Sequence, residues 1–226
     1  VTVPYAVLDG TTEGSQPVLD SPIYRITDEA EIRDLVRENG WAVLVSHTSR
    51  GLVATHMPVM LEEGDEFVVL GHFGRPDDEA HEIGENESML IVSGTHGYVS
   101  AGWYGTGPTA STWDFVVAHL YGVPEPIGDP EENLRALAAL QAKYESALPE
   151  PVLLEETPEL ALALSRGARG FRLRVTRWQG RNKMSQNRSA DVVERIVDQL
   201  EADPANQPYA NPALAAAVRA ANPAAP

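Results

Sequence analysis

Cysteine is absent from all 226 residues. That absence excludes disulfides, iron–sulfur clusters, thiolate-ligated or covalently attached heme, and cysteine nucleophiles together. Long apolar runs are also missing. No stretch approaches the roughly 20 residues that a membrane-spanning helix requires. Residues 1–17 show neither a basic start nor an apolar segment of signal-peptide type, so the expected compartment is cytoplasmic. Basic residues are scarce, 17 against 33 acidic ones, for a formal net charge of −16. A nucleic-acid backbone is bound by a basic surface, so this balance argues against direct nucleic-acid binding. The dinucleotide fingerprint G-x-G-x-x-G, the P-loop, the H-E-x-x-H zinc motif and the G-x-S-x-G serine elbow do not occur.

What is present reads as many short strands with few helices among them. Residues 1–22, rich in Pro, Gly, Ser and Thr, read as an irregular arm. Thr27-Asp28-Glu29 starts a helix that Asn39-Gly40 ends, with Ile32, Leu35 and Val36 on one face. Strands are expected over Trp41–His47, Leu52–Leu61, Glu66–Phe73, Ser88–Ser93, Gly97–Tyr104, Thr112–Gly122 and Gly170–Trp178. Helices are expected over Glu131–Ala147, from Thr157-Pro158-Glu159, and after a Ser189 cap. Residues 23–201 are thus expected to form one domain. From Ala202 onward the Ala- and Pro-rich composition reads as a mobile tail, in which Leu214 to Ala221 can form a weak helix. Antiparallel-type strands in this number suggest a barrel, since closure removes exposed edges.

Four clusters carry chemical potential. The first is Ala54-Thr55-His56-Met57-Pro58, on a strand. In the second, Gly71-His72-Phe73-Gly74-Arg75-Pro76, a histidine and an arginine at a strand end suit an anion. The third holds Tyr98, Trp103 and Tyr104, followed by Trp113, Asp114 and Phe115, and these aromatics serve either as core or as walls for a planar ligand. The fourth is Lys183-Met184-Ser185-Gln186-Asn187-Arg188, a dense run of donors expected at a ligand or an interface.

The segments ATHMP, GHFGRP, YVSAGWY, TWDFVVAHLYG, GFRLRV and KMSQNR resemble the successive signatures of the PaiB-like family of FMN-binding negative transcriptional regulators. The resemblance runs from Tyr24 to Leu200. It implies an α+β fold, a mostly antiparallel split β-barrel with peripheral helices. It also implies a homodimer with the cofactor near the subunit interface. Two departures stand out: Gly74-Arg75-Pro76-Asp77 where the family commonly has A-R-A-N-P, and Asp114 where it has Asn. A carboxylate beside a phosphate costs binding energy, and beside an amine it helps.

The sequence is similar in length and motifs to a heme-binding branch of this family, the piperazate synthases. That likeness implies heme b and an N–N bond-forming enzyme. Its reaction cyclises N5-hydroxy-L-ornithine to L-piperazic acid with loss of water, in natural product biosynthesis. His56 and His72 are then the candidate iron ligands, ahead of His119 and His96. Asp114, Tyr98, Tyr104 and Lys183 are candidate proton handlers, because the attacking amine must lose a proton and the departing oxygen must gain one. Ser185, Gln186, Asn187 and Arg188 complete the cofactor-binding set with Arg75, Trp103 and Trp113. The alternative is an FMN-binding PaiB-type regulator or flavin-dependent reductase. In that case His72, Arg75 and Lys183 grip the phosphate, while Trp103, Tyr104 and Trp113 wall the ring.

Overall fold

The computed structural model describes residues 21–223 apart from positions 106 and 108. All but the last two positions of the expected N-terminal arm lie outside the described residues. In chain order the elements are β1 (Arg25–Ile26), α1 (Glu29–Glu38), β2 (Trp41–Thr48), β3 (Gly51–Glu62), β4 (Val68–Gly74), α2 (Asp77–Ala80), β5 (Ser88–Val99), β6 (Thr112–Gly122) and β7 (Pro124–Pro126). Then follow α3 (Pro130–Glu145), α4 (Pro158–Gly167), β8 (Ala168–Arg174), β9 (Arg177–Lys183), α5 (Ala190–Leu200) and α6 (Pro212–Ala221). Among the described residues the strands form one antiparallel sheet ordered β1-β9-β6-β5-β2-β3-β4-β8-β7.

Period-two alternation builds the sheet's two faces. Inward residues such as Leu44, Met57, Val59, Val69, Leu90, Leu120 and Phe171 meet Ile32, Leu35 and Val36 of α1 in the main core. Asp28 caps α1, its carboxylate accepting the Ala30 N–H at 2.9 Å. The roll of the sheet is closed where β6 meets the end of β8. There Thr176 N–H donates to the Tyr121 carbonyl at 2.9 Å, and Gly122 lies against the Arg174 carbonyl. A second core joins α5 and α6 to Val99, Tyr104 and Met184.

The structure departs from the expected elements in four places. Ser88–Ser93 and Gly97–Tyr104 are not two strands. β5 runs unbroken to Val99 with a register shift between Ser93 and His96, and Ala101–Tyr104 forms a 3-10 turn. The expected strand Gly170–Trp178 is split between β8 and β9, which pair with different neighbours, β4 and β6. The reason is local: Val175 and Thr176 spend their N–H groups on Phe67 and Tyr121, turning the chain from the β4 side of the sheet to the β6 side. Ser189 precedes α5, but its hydroxyl donates to Asp191 and not to a helix amide. Last, residues 212–221 are not a free tail: Leu214, Ala215 and Val218 of α6 are fully buried against α5.

Candidate binding cleft

The outward face of β6 carries Trp113, Phe115, Val117 and His119 at every second position. Register places them beside Tyr98, His96, Ser93 and Ile91 of β5. On the other side, Phe115, Val117 and His119 face Lys183, Arg181 and Gln179 of β9. A cleft of about 670 Å³ opens over β6, β9 and β1, lined by Arg25, Phe115, Val117, His119, Gln179 and Arg181 among others. A shallower hollow of about 400 Å³ continues over β5 and β6, bounded by Ser93, His96 and Trp113, and it shares Phe115 and Val117 with the first. One groove therefore has an aromatic end, an apolar floor and a cationic end.

The ring contacts at the aromatic end are open ones. Trp113 is 55% exposed. Its ring centroid lies 6.3 Å from those of His96 and Tyr98. At the cationic end, burial and the nearby Arg181 guanidinium both hold His119 below the usual histidine range, so its imidazole is neutral at pH 7. A neutral imidazole offers one donor and one acceptor to a ligand. Phe115 was among the aromatics expected either in the core or along a planar ligand, and His119 stood behind His56 and His72. The alternation along TWDFVVAH aligns Trp113, Phe115, Val117 and His119 on one face and so places His119 with the aromatics.

The run Lys183–Arg188 is spent mostly on its own architecture. Lys183 Nζ donates to Thr112 Oγ1 at 2.7 Å, to the Trp113 carbonyl, and to Asp114 Oδ1 at 3.1 Å. Ser185 donates to the other Asp114 oxygen at 2.6 Å, which supports a backbone φ of 60° at Ser185. Gln186 accepts from Met184 N–H and donates to the Asn182 carbonyl. Arg188 lies over the Tyr104 ring at 4.3 Å. Asn187 is exposed. Asp114 is fully buried and Tyr104 belongs to the second core, so both sit beneath the cleft and not in it. Trp103 packs half-buried on that same core. Tyr24 stands nearby, its ring 6.0 Å from Lys183 Nζ. Burial first, and Asp114 second, raise its hydroxyl above the usual tyrosine range.

The histidine candidates lie elsewhere. His56 is exposed on the outward face of β3, its ring stacked 6.3 Å from that of Trp41. His72 follows Leu70 by two positions on β4, and Leu70 pairs with Met60, so His56 and His72 share one face near one strand end. His72 Nδ1 is buried without a hydrogen-bond partner, and burial lowers the ring below the usual histidine range. Arg75 is exposed just beyond β4. The order β6-β5-β2-β3 separates the two sets by three strand spacings, roughly 14 Å from β6 to β3. A single chain therefore does not bring His72 and Arg75 to Lys183 and Trp113. His81 is buried, bonded to Ser46 Oγ at 2.8 Å and Thr55 Oγ1 at 2.9 Å. Among the described residues no cluster of three or more His, Cys, Asp or Glu is arranged to hold a metal ion.

Residues 21–177 match the family described as "Putative FMN-binding domain". The chain belongs to this FMN-binding domain family. It is 29% identical over 182 residues to the protease synthase and sporulation protein PAI 2 of Bacillus subtilis strain 168, spanning 79% of this chain and 86% of that protein. Two solved structures share the fold. A FAD and heme binding protein from Mycobacterium smegmatis superposes with a TM-score of 0.55 at 17% identity, covering 76% of this chain and 78% of that one. A flavocytochrome from Azotobacter vinelandii gives 0.53 at 16% identity, covering 71% and 69%. The α+β split barrel expected from the sequence is the observed fold. No helix among the described residues is long and apolar enough to cross a membrane.

Proposed function

We propose that this member of the FMN-binding domain family holds FMN in the groove over β5, β6 and β9 and serves as a flavin-dependent oxidoreductase. One observation carries the reading: the aromatic and cationic ends are continuous through Phe115 and Val117. A flat ring with a phosphate tail asks for that pairing, and the groove has the volume of a small-molecule site. Arg25 and Arg181 would hold the phosphate, Phe115 and Trp113 would flank the ring, and neutral His119 with Gln179 would supply polar contacts to its edge. Bound FMN supplies reversible two-electron chemistry. The protein's part is to exclude water from the ring and to orient it.

The exposed outward face also supports a homodimer. Trp41 is 64% exposed and Leu52 76% exposed on the same sheet face as Trp113. A second copy laid over this face would take their apolar area out of water. A two-fold copy laid on this face would carry its His56, His72 and Arg75 toward the groove of its partner.

A second reading, heme b with N–N bond-forming chemistry on an N-hydroxylated amino acid, is favoured by the buried unpartnered Nδ1 of His72 and by His56 beside Trp41. In that reading His56 or His72 would ligate iron.

The test is an absorbance spectrum of the purified protein, then titration of FMN followed by flavin fluorescence. Saturable quenching at one FMN per chain is expected, with Arg181→Gln raising Kd by about tenfold, as loss of a charge-assisted phosphate contact should. Absence of FMN binding together with a Soret band would replace the flavin reading with the heme one.

A further inference from the structure

The chain beyond β9 lies outside the matched family region, yet it reaches back to the aromatic end of the groove. Asn211 anchors it. The Asn211 side-chain oxygen caps α6 by accepting Leu214 N–H at 3.1 Å, its amide Nδ2 donates to the His96 carbonyl at 3.2 Å, and its backbone N–H donates to Leu200 at 2.7 Å. Seating α6 there depends on a glycine. A Cβ at Gly97 would stand 2.8 Å from Leu214 Cδ2 and 3.4 Å from Asn211 Nδ2. Gly97 lies between His96 and Tyr98, two of the groove's aromatic residues. At the other end of α6, Asn222 Nδ2 donates to the Met184 carbonyl at 2.8 Å, tying the segment to the turn after β9.

This docking sets Tyr209 against Tyr98, which strand register places beside Trp113. Its ring centroid is 4.8 Å from that of Tyr98, tilted by 48°. Tyr98 in turn meets Trp113 edge-on at 6.3 Å. Tyr209 is 53% exposed, as open as Trp113. Two large rings that both meet Tyr98, Trp113 at the hollow and Tyr209 on a segment held by buried leucine and valine, are left half in water. Burying a ligand ring against them recovers apolar area and ring-on-ring contact that folding alone leaves unused.

We infer that Tyr209 is a ligand-contacting residue, a lip of the groove that stacks on the conjugated ring of the bound group, and that the C-terminal segment exists in part to position it. The inference rests on the reading of the groove as a site for a flat cofactor. Ring pairs of this kind contribute enough to change affinity by roughly three- to tenfold.

The experiment uses the full chain as wild type, Tyr209→Ala and Tyr209→Phe, each titrated separately with FMN and with heme b. Thermal unfolding of the three proteins shows whether the fold is kept, which the exposure of Tyr209 predicts. The expected result is a Kd raised about five- to tenfold in Tyr209→Ala for the group that binds, with Tyr209→Phe within about twofold of wild type. Equal FMN affinity in all three proteins overturns the role of Tyr209 and leaves the flavin reading standing. Binding of heme alone, weakened in Tyr209→Ala, removes the flavin reading and upholds Tyr209. Failure of both groups to bind wild type overturns both.

Discussion

Asp114 stands where the sequence resemblance leads one to expect asparagine, and the structure shows how its carboxylate is held. Both carboxylate oxygens are engaged, one by Lys183 and one by Ser185, in a place with no solvent access. Removing the cation leaves a buried carboxylate with only a hydroxyl partner. Lys183→Met is therefore expected to lower stability by about 3 kcal/mol. Adding Asp114→Asn to it should restore more than half of that loss, because the charge that needed Lys183 is gone. Urea unfolding of the single and double variants measures this. Equal losses in both would mean that the pair is not coupled. The two motifs TWDF and KMSQNR were visible in the sequence as polar clusters. That they meet across 69 residues, and that the meeting is structural more than catalytic, depends on the pairing of β6 with β9.

At the scale of elements, close approach decides more than propensity. Gly122 ends β6 where a Cβ would lie 2.3 Å from the Arg174 carbonyl oxygen. Backbone cannot swing aside as a side chain can. Gly122→Ala is expected to cost about 3 kcal/mol, the upper end for overpacking. Gly97→Ala, which meets side-chain ends of Leu214 and Asn211 and no backbone, should cost visibly less. Thermal unfolding midpoints of the two variants give the comparison, and the reverse order would contradict this account of barrel closure. Helices α1 and α3 and strands β2, β3, β4 and β6 were legible from capping residues and alternation. The split between β8 and β9 was not. Phe171, Leu173 and Val175 alternate up to it, and hydrogen bonds from Val175 and Thr176 to distant strands mark the turn. The run of β5 through Gly94-Thr95-His96-Gly97 was likewise hidden, because glycines read as a break when they serve close packing.

For the whole molecule, the arrangement of the two residue sets argues for assembly. The histidine set on β3 and β4 and the groove on β5, β6 and β9 occupy one face but stand apart within a chain. A self-complementary interface on that face is expected to give a particle of twice 24.5 kDa. Trp41→Glu, at a 64% exposed position, should halve the mass seen by light scattering and leave the fold intact. A wild-type protein of single-chain mass at micromolar concentration would remove the dimer.

The sequence by itself determined the class of fold, the family, and the exclusion of disulfides and thiolate ligands that follows from having no cysteine. These depend on composition and on short-range patterns, which a linear chain displays directly. Only the tertiary structure decided which polar residues serve the scaffold and which face a ligand. Lys183 and Ser185 are spent on Asp114, and Gln186 on the backbone of Met184 and Asn182, while His119 lines the groove. Strand order and the docking of α6 bring together residues far apart in the chain. Pairings at that range are set by packing and hydrogen-bond satisfaction across the whole barrel, and no local pattern records them.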